Sequence, residues 1–237
     1  MPCLIEFSGV SKNYAGLRPL RISTLVVDQG DRLVLTGFDA GAAEAFVNLV
    51  TGASIPDEGD VRVEGKDTRE IATDTEWLAS LDRFGLVTDR AVLIDRLPIG
   101  ANLALPLTLA IEPMSPETRH EVERLAGDAG LRPERLDEAT STLSAGERVR
   151  VHLARALAMK PVMLILEHPT AKIDQPAESR ALGVTLRELS EKRHLGWIAL
   201  TADEPFARAT GARQLELQPA TGELVAADGF WRRVFKR

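Results

Sequence analysis

One continuous stretch, from Ser141 to Asp174, constrains the fold of this chain more than any other. After the sequence LSAGE, apolar residues between Val149 and Ala158 recur at helical spacing with arginines between them, which predicts a helix beginning near Ala145. Met163 to Leu166 is an apolar run short enough for a buried parallel strand, and it ends in the acidic Glu167. A turn, a helix and a buried strand in this order indicate an α/β fold.

The start of the predicted helix has two interpretations. Ser144 directly precedes it, and serine at this position commonly caps an ordinary helix. Alternatively, the Ser144 hydroxyl, the Gly146 amide and the helix dipole form an anion site able to meet a phosphate. Because LSAGE does not stand alone in this sequence, we favour the anion site.

Composition indicates a soluble globular protein. The 237 residues are 44% hydrophobic and 27% charged. We expect no membrane span, because no apolar run approaches about 18 residues, and no signal peptide in MPCLIEFSGV. The single cysteine, Cys3, fits a reducing cytoplasm, and the net charge of −6 argues against nucleic acid as the main partner.

The order of LSAGE, an arginine-bearing helix, an apolar strand and EHPTAKID resembles the signature and Walker B region of ATP-binding cassette (ABC) proteins. The family pattern is LSGGQ followed by LLLLDEPTxxLD, and weaker similarities extend from about Leu4 to Val225. The resemblance implies an α/β ABC ATPase fold of the P-loop NTPase type, with a mixed sheet and antiparallel N-terminal strands. It further implies one nucleotide-binding domain over residues 1–237, with a helical subdomain inserted at about residues 90–145.

A strand, a glycine turn and a helix follow one another between Arg32 and Val50, as a phosphate-binding loop requires. The side chains with which such a loop binds phosphate and magnesium are missing. When the pattern GxxxxGK[ST] is aligned on Gly37, alanine replaces the lysine that would attract the phosphates by about 4 kcal/mol at about 4 Å. The degenerate loop comprises Gly37, Gly41, Ala42 at the second glycine, Ala43 at the lysine and Glu44 at the magnesium-binding hydroxyl.

We hypothesise that Glu44 lies in the first helical turn, partly compensates the helix dipole itself and occupies the place where phosphate or magnesium would otherwise bind. Changing Ala43 to lysine and Glu44 to serine should then confer nucleotide affinity.

The other catalytic positions also depart from the family pattern. His168 can act as a base in principle, but without a lysine and magnesium ligands we favour a histidine that fills a vacated site. The resemblance therefore implies no catalytic residue, no metal and no firmly bound cofactor in this chain, and ATP hydrolysis that is absent or very weak. The departing positions are Asp89 at the Q-loop glutamine, Glu167 at the Walker B aspartate, His168 at the catalytic glutamate and Ala202 at the switch histidine.

In this family two domains pair head to tail, and each nucleotide lies between the P-loop of one and the signature of the other. The losses here all affect the chain's own site. The residues retained for a partner's site are Leu143, Ser144, Ala145, Gly146, Glu147 and Asp174.

Our first hypothesis is therefore a pseudo-ATPase transporter subunit, cytoplasmic and peripheral on the inner face of the cell membrane. It would pair with a related active ATPase, which binds Mg-ATP, and with integral-membrane subunits. The alternatives are an active ATPase with a site repurposed around Glu167 and His168, and a regulatory binding module that uses no nucleotide.

Two aromatic features have open interpretations. Tyr14 stands where the family places an aromatic that stacks on adenine, or it is tucked into the domain edge. The C-terminal sequence FWRRVFKR, residues 230–237, predicts a helix whose apolar face packs on the domain or serves as an anchor for a partner or membrane surface.

Overall fold

The computed structural model describes residues 3–227, so the predictions for the C-terminal FWRRVFKR lie outside the described residues. Ten strands and seven α-helices alternate along this part of the chain. In order they are β1 (Cys3–Lys12), β2 (Leu20–Asp28), β3 (Arg32–Thr36), α1 (Ala40–Val50), β4 (Glu58–Val63), β5 (Lys66–Asp67), α2 (Asp74–Leu81), β6 (Phe84–Val87), α3 (Ile99–Ala104), α4 (Pro116–Asp128), α5 (Ala145–Ala158), β7 (Met163–Glu167), α6 (Pro176–Arg193), β8 (Gly196–Leu200), α7 (Glu204–Thr210), β9 (Arg213–Gln218) and β10 (Glu223–Ala226).

The strands form two sheets. The first is antiparallel, in the order β2-β1-β4-β5, and confirms the predicted N-terminal strands. The second has the order β10-β9-β3-β8-β7-β6 and is parallel except for the antiparallel β10. This mixed sheet confirms the predicted α/β class. Its β7 is fully buried from Met163 to Leu166, as the apolar run predicted.

Alternate residues of β3 face two separate cores. Val34 packs in a core that the mixed sheet shares with α4, α5 and α6. Leu33 and Leu35 face the other core, which α1 and the antiparallel sheet complete. There the Phe7 and Phe46 rings stack with centroids 5.1 Å apart, which fixes α1 against β1.

The parallel order β3-β8-β7-β6 places the carboxyl ends of four strands side by side. In open α/β sheets this edge is where ligands bind. The loops that follow β3, β6, β7 and β8 carry Gly37, Asp89, His168 and Ala202, so these predicted site residues lie at one edge of the sheet.

The helices differ from the sequence predictions at two places. Helix α1 begins at Ala40, which puts Glu44 beyond the first turn where we expected it. Helix α2 was not predicted, because none of its eight residues is buried and no core-facing pattern marks it. None of the helices between residues 3 and 227 is long and apolar enough to cross a membrane.

Candidate functional site

The loop between β3 and α1 turns sharply at Gly37, whose φ is +83°. A Cβ atom at this position would lie 2.7 Å from the Leu217 carbonyl oxygen, so only glycine fits. Asp39 then caps α1, because its Oδ1 accepts a hydrogen bond of 2.7 Å from the Ala42 amide. A carboxylate of the chain itself thus occupies the helix terminus that a phosphate would approach.

Our hypothesis that the Glu44 carboxylate compensates the dipole of α1 is wrong. The first turn of α1 contains no acidic residue, and Asp39 provides the negative charge at the helix terminus. Glu44 lies in the second turn, with its side chain directed to another partner. Ala43, at the lysine position, is fully buried in the core beneath the antiparallel sheet.

Tyr14 packs on the first turn of α1. Its hydroxyl donates a hydrogen bond of 3.2 Å to Asp39 Oδ2, and its ring lies so close to Gly41 that an added Cβ would be 2.8 Å from two ring carbons. Partial burial raises the pKa of Tyr14, and the Asp39 carboxylate raises it further by charge and by hydrogen bonding. The ring therefore lies over the degenerate loop, which agrees with the interpretation that Tyr14 packs against the domain.

Arg90, which sequence reasoning missed, joins the P-loop helix to the tip of β7. One terminal nitrogen of its guanidinium lies 2.6 Å from Glu44 Oε1, and the other lies 2.6 Å from Glu167 Oε2. The Glu167 side chain is only 10% exposed, so this charge is largely withdrawn from water. The cation between these two acids is thus a side chain of the chain itself.

The neighbouring Asp89 does not reach this pair of acids. It forms an ion pair of 2.9 Å with Lys172, in the turn after β7. Of the two residues, Arg90 is the one that contacts the predicted Walker A and Walker B positions. The sequence assignment of Asp89 to the Q-loop glutamine stays a prediction.

Magnesium, which the resemblance implies for a catalytic site, does not fit between Glu44 and Glu167. Mg²⁺ needs carboxylate oxygens at about 2.0–2.1 Å, with room for waters. Here an oxygen of each acid accepts a hydrogen bond from Arg90. Among residues 3–227 no group of three or more His, Cys, Asp or Glu side chains could hold a metal ion.

His168 follows Glu167 in a left-handed conformation, with φ of +42°. Its amide donates to the Leu200 carbonyl at 2.9 Å, which ties this turn to β8. Its Nε2 is buried and has no hydrogen-bond partner in the part of the chain that the structure describes. With Asp174 and Ala202, His168 lines an open cleft at the edge of the sheet.

The start of α5 forms a serine cap, which was one of the two interpretations of LSAGE. The Ser144 hydroxyl accepts a hydrogen bond of 3.2 Å from the Glu147 amide, and Glu147 Oε2 accepts one of 2.9 Å from the Ser144 amide. Burial raises the pKa of Glu147, but the Ser144 amide and the Arg135 guanidinium outweigh it, so this pKa lies below its ordinary value. Leu143 is buried before the cap, whereas Ala145 remains half-buried.

A second carboxylate lies over the signature sequence. The Ser144 hydroxyl donates a hydrogen bond of 2.9 Å to Glu178 Oε1, from the first turn of α6. The Glu178 side chain also covers Gly146, because a Cβ added there would overlap its carboxylate. The predicted anion site therefore already holds a negatively charged group, which local sequence did not reveal.

A cleft of about 320 Å³ lies between α5 and the loop after β6. His152 lines it, and burial together with Arg155 lowers its pKa to about 4. The same cleft reaches Glu167 and His168, so it adjoins the candidate site.

A sequence model of the family described as "ABC transporter" matches residues 20–171, more than half of the chain. The chain belongs to the ABC transporter family. The ABC transporter ATP-binding protein YxdL of Bacillus subtilis (strain 168) is 26% identical over 208 residues, which cover 86% of this chain and 79% of YxdL. The lipoprotein-releasing system ATP-binding protein LolD of Saccharophagus degradans is 28% identical over 202 residues, which cover 85% of this chain and 87% of LolD.

Solved structures show the same ABC fold. CbiO1 from Clostridium perfringens, described as part of the ABC transporter complex CbiONQ, has a TM-score of 0.79 at 19% identity, covering 98% of this chain and 92% of its own. The cassette MJ0796, in a dimeric state bound to ADP and Pi, has a TM-score of 0.72 at 24% identity, covering 93% and 96%. The chain is thus an ABC-type nucleotide-binding domain by family and by fold.

Proposed function

We propose that this chain is a transporter subunit with an inactive nucleotide site, which pairs with a related, active ABC ATPase and completes that partner's site. The observation that carries the proposal is the Arg90 guanidinium between Glu44 and Glu167. These acids stand at the positions where the family pattern puts the magnesium ligands. Because the Arg90 guanidinium offsets one of their two negative charges and hydrogen-bonds an oxygen of each acid, the site should attract Mg²⁺ less than two free carboxylates would.

The phosphate side of the chain's own site supports the same conclusion. Asp39 places a carboxylate at the start of α1, and Ala43 supplies no cation. A phosphate that arrives here would lack the attraction to a lysine, about 4 kcal/mol at about 4 Å, and would be repelled by the Asp39 carboxylate. We therefore expect no measurable ATP hydrolysis by the isolated chain, and no tightly held cofactor.

The signature half, in contrast, keeps the donors of the anion site that the sequence predicts. Ser144 and Gly146 stand at the start of the 14-residue helix α5, where the dipole favours negative charge. The Glu178 carboxylate occupies this place in the isolated chain. We propose that the terminal phosphate of a partner's ATP displaces Glu178 and binds the same donors. Leu143, Ala145 and Glu147 shape that surface, and Asp174 would lie beside it.

Membrane association follows from this role. The relatives' names describe the LolD protein as part of a lipoprotein-releasing system and CbiO1 as part of a transporter complex. We propose by analogy that this chain is cytoplasmic, lies on the inner face of the cell membrane and contacts integral-membrane subunits.

The deciding experiment measures Mg-ATP binding and turnover by the isolated chain and by the complex that copurifies with it. We expect no binding or turnover by the chain alone, and turnover in the complex that Ser144→Arg abolishes. Ser141→Arg, the same change at an exposed position three residues earlier, is the matched control and should leave turnover intact. ATP should also tighten the association, because binding and pairing are linked reciprocally.

Other outcomes would favour the alternatives. Turnover by the isolated chain, lost in His168→Ala, would establish a repurposed ATPase built on Glu167 and His168. The repurposed ATPase is the weaker alternative, because Arg90 already forms an ion pair with Glu167. A complex that is indifferent both to ATP and to Ser144→Arg would indicate a nucleotide-independent regulatory module.

A further inference from the structure

The contacts of Arg90 connect three separate segments at the edge of the mixed sheet. Arg90 lies in the loop after β6, Glu44 in α1 and Glu167 at the end of β7. The two ion pairs have equal N···O distances of 2.6 Å and use the two different terminal nitrogens of one guanidinium. This is the forked geometry by which arginine holds two carboxylates at once.

Arg90 is itself held in place by the turn that carries it. Its amide donates to the Thr88 hydroxyl at 3.2 Å, and its Nε lies 3.4 Å from the same oxygen. The Arg90 side chain is 40% exposed and the Glu167 side chain 10% exposed, so the bridge extends from the solvent edge into the interior. Removal of Arg90 would leave Glu167 with a buried, unpaired charge.

We propose that Arg90 is the resident cation of this site and takes the place of the divalent metal. A guanidinium stays charged at every physiological pH, and no chelator removes it. The link between α1 and β7 is therefore permanent, whereas a metal-dependent link forms only when metal and nucleotide arrive. This inference rests on the same Arg90 contacts as the proposed function, but its test uses the isolated chain, so its failure is distinct from a failure to pair with a partner subunit.

The test compares thermal unfolding of the wild-type chain and Arg90→Ala, with and without millimolar Mg²⁺ or Mn²⁺ at constant ionic strength. The wild-type Tm should not respond to either ion. Arg90→Ala should unfold about 3–6 °C lower, because two carboxylates lose their cation. Divalent ions should restore part of that loss, since the freed oxygens are ligands they accept.

Two further variants separate this explanation from general charge effects. In Arg90→Ala combined with Glu44→Gln, the recovery by divalent ions should disappear. Arg208→Ala is the matched control, because Arg208 also pairs with a glutamate, Glu204, but on the exposed surface of α7. Its Tm should not respond to Mg²⁺ or Mn²⁺.

The proposal would be overturned if Mn²⁺ raised the Tm of the wild type as much as that of Arg90→Ala. It would also be overturned if Arg90→Ala folded and its Tm did not change with either ion. If Arg90→Ala does not fold, titration of the wild-type chain with Mn²⁺, followed by electron paramagnetic resonance, decides the question. Binding of one ion that Glu44→Gln removes would show that the metal, not Arg90, belongs there. No binding by the wild type, together with partial stability of Arg90→Lys, would support the resident cation.

Discussion

At the scale of single residues, Tyr14 offers a direct spectroscopic view of the candidate site, because it is the only tyrosine in the chain. Partial burial and the adjacent Asp39 carboxylate raise its pKa above the ordinary value. We predict that Asp39→Asn lowers this pKa, since the amide keeps a hydrogen-bond acceptor but removes the charge. Tyrosinate absorbance followed through an alkaline titration measures it.

The control for this titration is Asp60→Asn, which removes a surface carboxylate that pairs with Arg69 and should leave the Tyr14 midpoint in place. The sign for stability follows from the raised pKa in the folded state. Tyr14 contributes stability below its ordinary pKa, and this contribution is lost as pH rises through the folded value. An unchanged midpoint in Asp39→Asn would mean that the Tyr14–Asp39 contact does not form in solution.

How much of the site the sequence could predict depends on how far apart the contacting residues are. Ser144 and Glu147 are three residues apart, so the capping geometry follows from local pattern. Arg90 meets Glu44 across 46 residues and Glu167 across 77, and no periodicity or motif encodes those distances. The contact of Ser144 with Glu178, 34 residues away, was missed for the same reason.

At the scale of secondary-structure elements, α1 owes its start to Asp39. Asp39→Ala removes the acceptor of the Ala42 amide and should destabilise the fold by about 1 kcal/mol. For a domain of this size we expect Tm to fall by about 2–4 °C. Asp39→Ser should retain most of the stability, because serine caps equally well. Denaturant unfolding of the three proteins checks this, and equal losses for alanine and serine would show that capping is not what Asp39 provides.

Helix α5 carries a group that makes the fold sensitive to mild acid. The pKa of His152 is lowered to about 4 by burial and by Arg155, whereas in the unfolded chain it returns to about 6.5. Because the unfolded state binds the proton more readily, stability falls as pH decreases from about 6.5 towards 4. His152→Gln should remove about 2 kcal/mol of this acid destabilisation at about pH 4.5.

Unfolding free energies of the wild type and His152→Gln, measured across that pH range, test the prediction by their difference. Carboxylates titrate in both proteins and cancel in the comparison. His120→Gln serves as the control, since His120 is exposed on α4 and should change nothing. A difference that does not depend on pH would contradict the assigned role of His152.

The elements themselves were predictable where a buried face imposes a pattern. The fully buried run of β7 and the helical spacing in α5 both match the structure. Helix α2 and the start of α1 at Ala40 were not predictable by that route. The first buries no residue, and the second begins with small residues that carry little periodic signal. The division into one domain with a helical subdomain at residues 90–145 stays a prediction.

At the scale of the whole molecule, side chains from three separate segments fill the candidate site. Asp39 stands at the phosphate end, Arg90 between the two acids and Tyr14 over the loop. These residues come from different segments, so we expect that no single substitution restores nucleotide binding. Ala43→Lys with Glu44→Ser, which the sequence alone suggested, leaves Arg90 on Glu167 and Asp39 on α1.

We therefore predict that this double variant binds Mg-ATP no better than the wild type. Its buried lysine at position 43 should also lower stability, because Ala43 is fully enclosed. Adding Asp39→Ser and Arg90→Gln removes the competing carboxylate and the resident cation together. Only this fourfold variant should gain nucleotide affinity, by at least about tenfold over the double variant, or about 1.4 kcal/mol.

Isothermal titration calorimetry with Mg-ATP measures the gain in affinity. The informative comparison is between the double variant, each triple variant and the fourfold variant. If Asp39 and Arg90 exclude the nucleotide together, adding Asp39→Ser or Arg90→Gln alone to the double variant should change its affinity little. Adding both should raise the affinity more than the sum of the two effects, since contacts that share a site are not additive. Equal affinity of the double and fourfold variants would mean that the missing lysine and hydroxyl alone account for the inactive site. In that case Asp39 and Arg90 would be structural replacements, with no part in excluding the nucleotide.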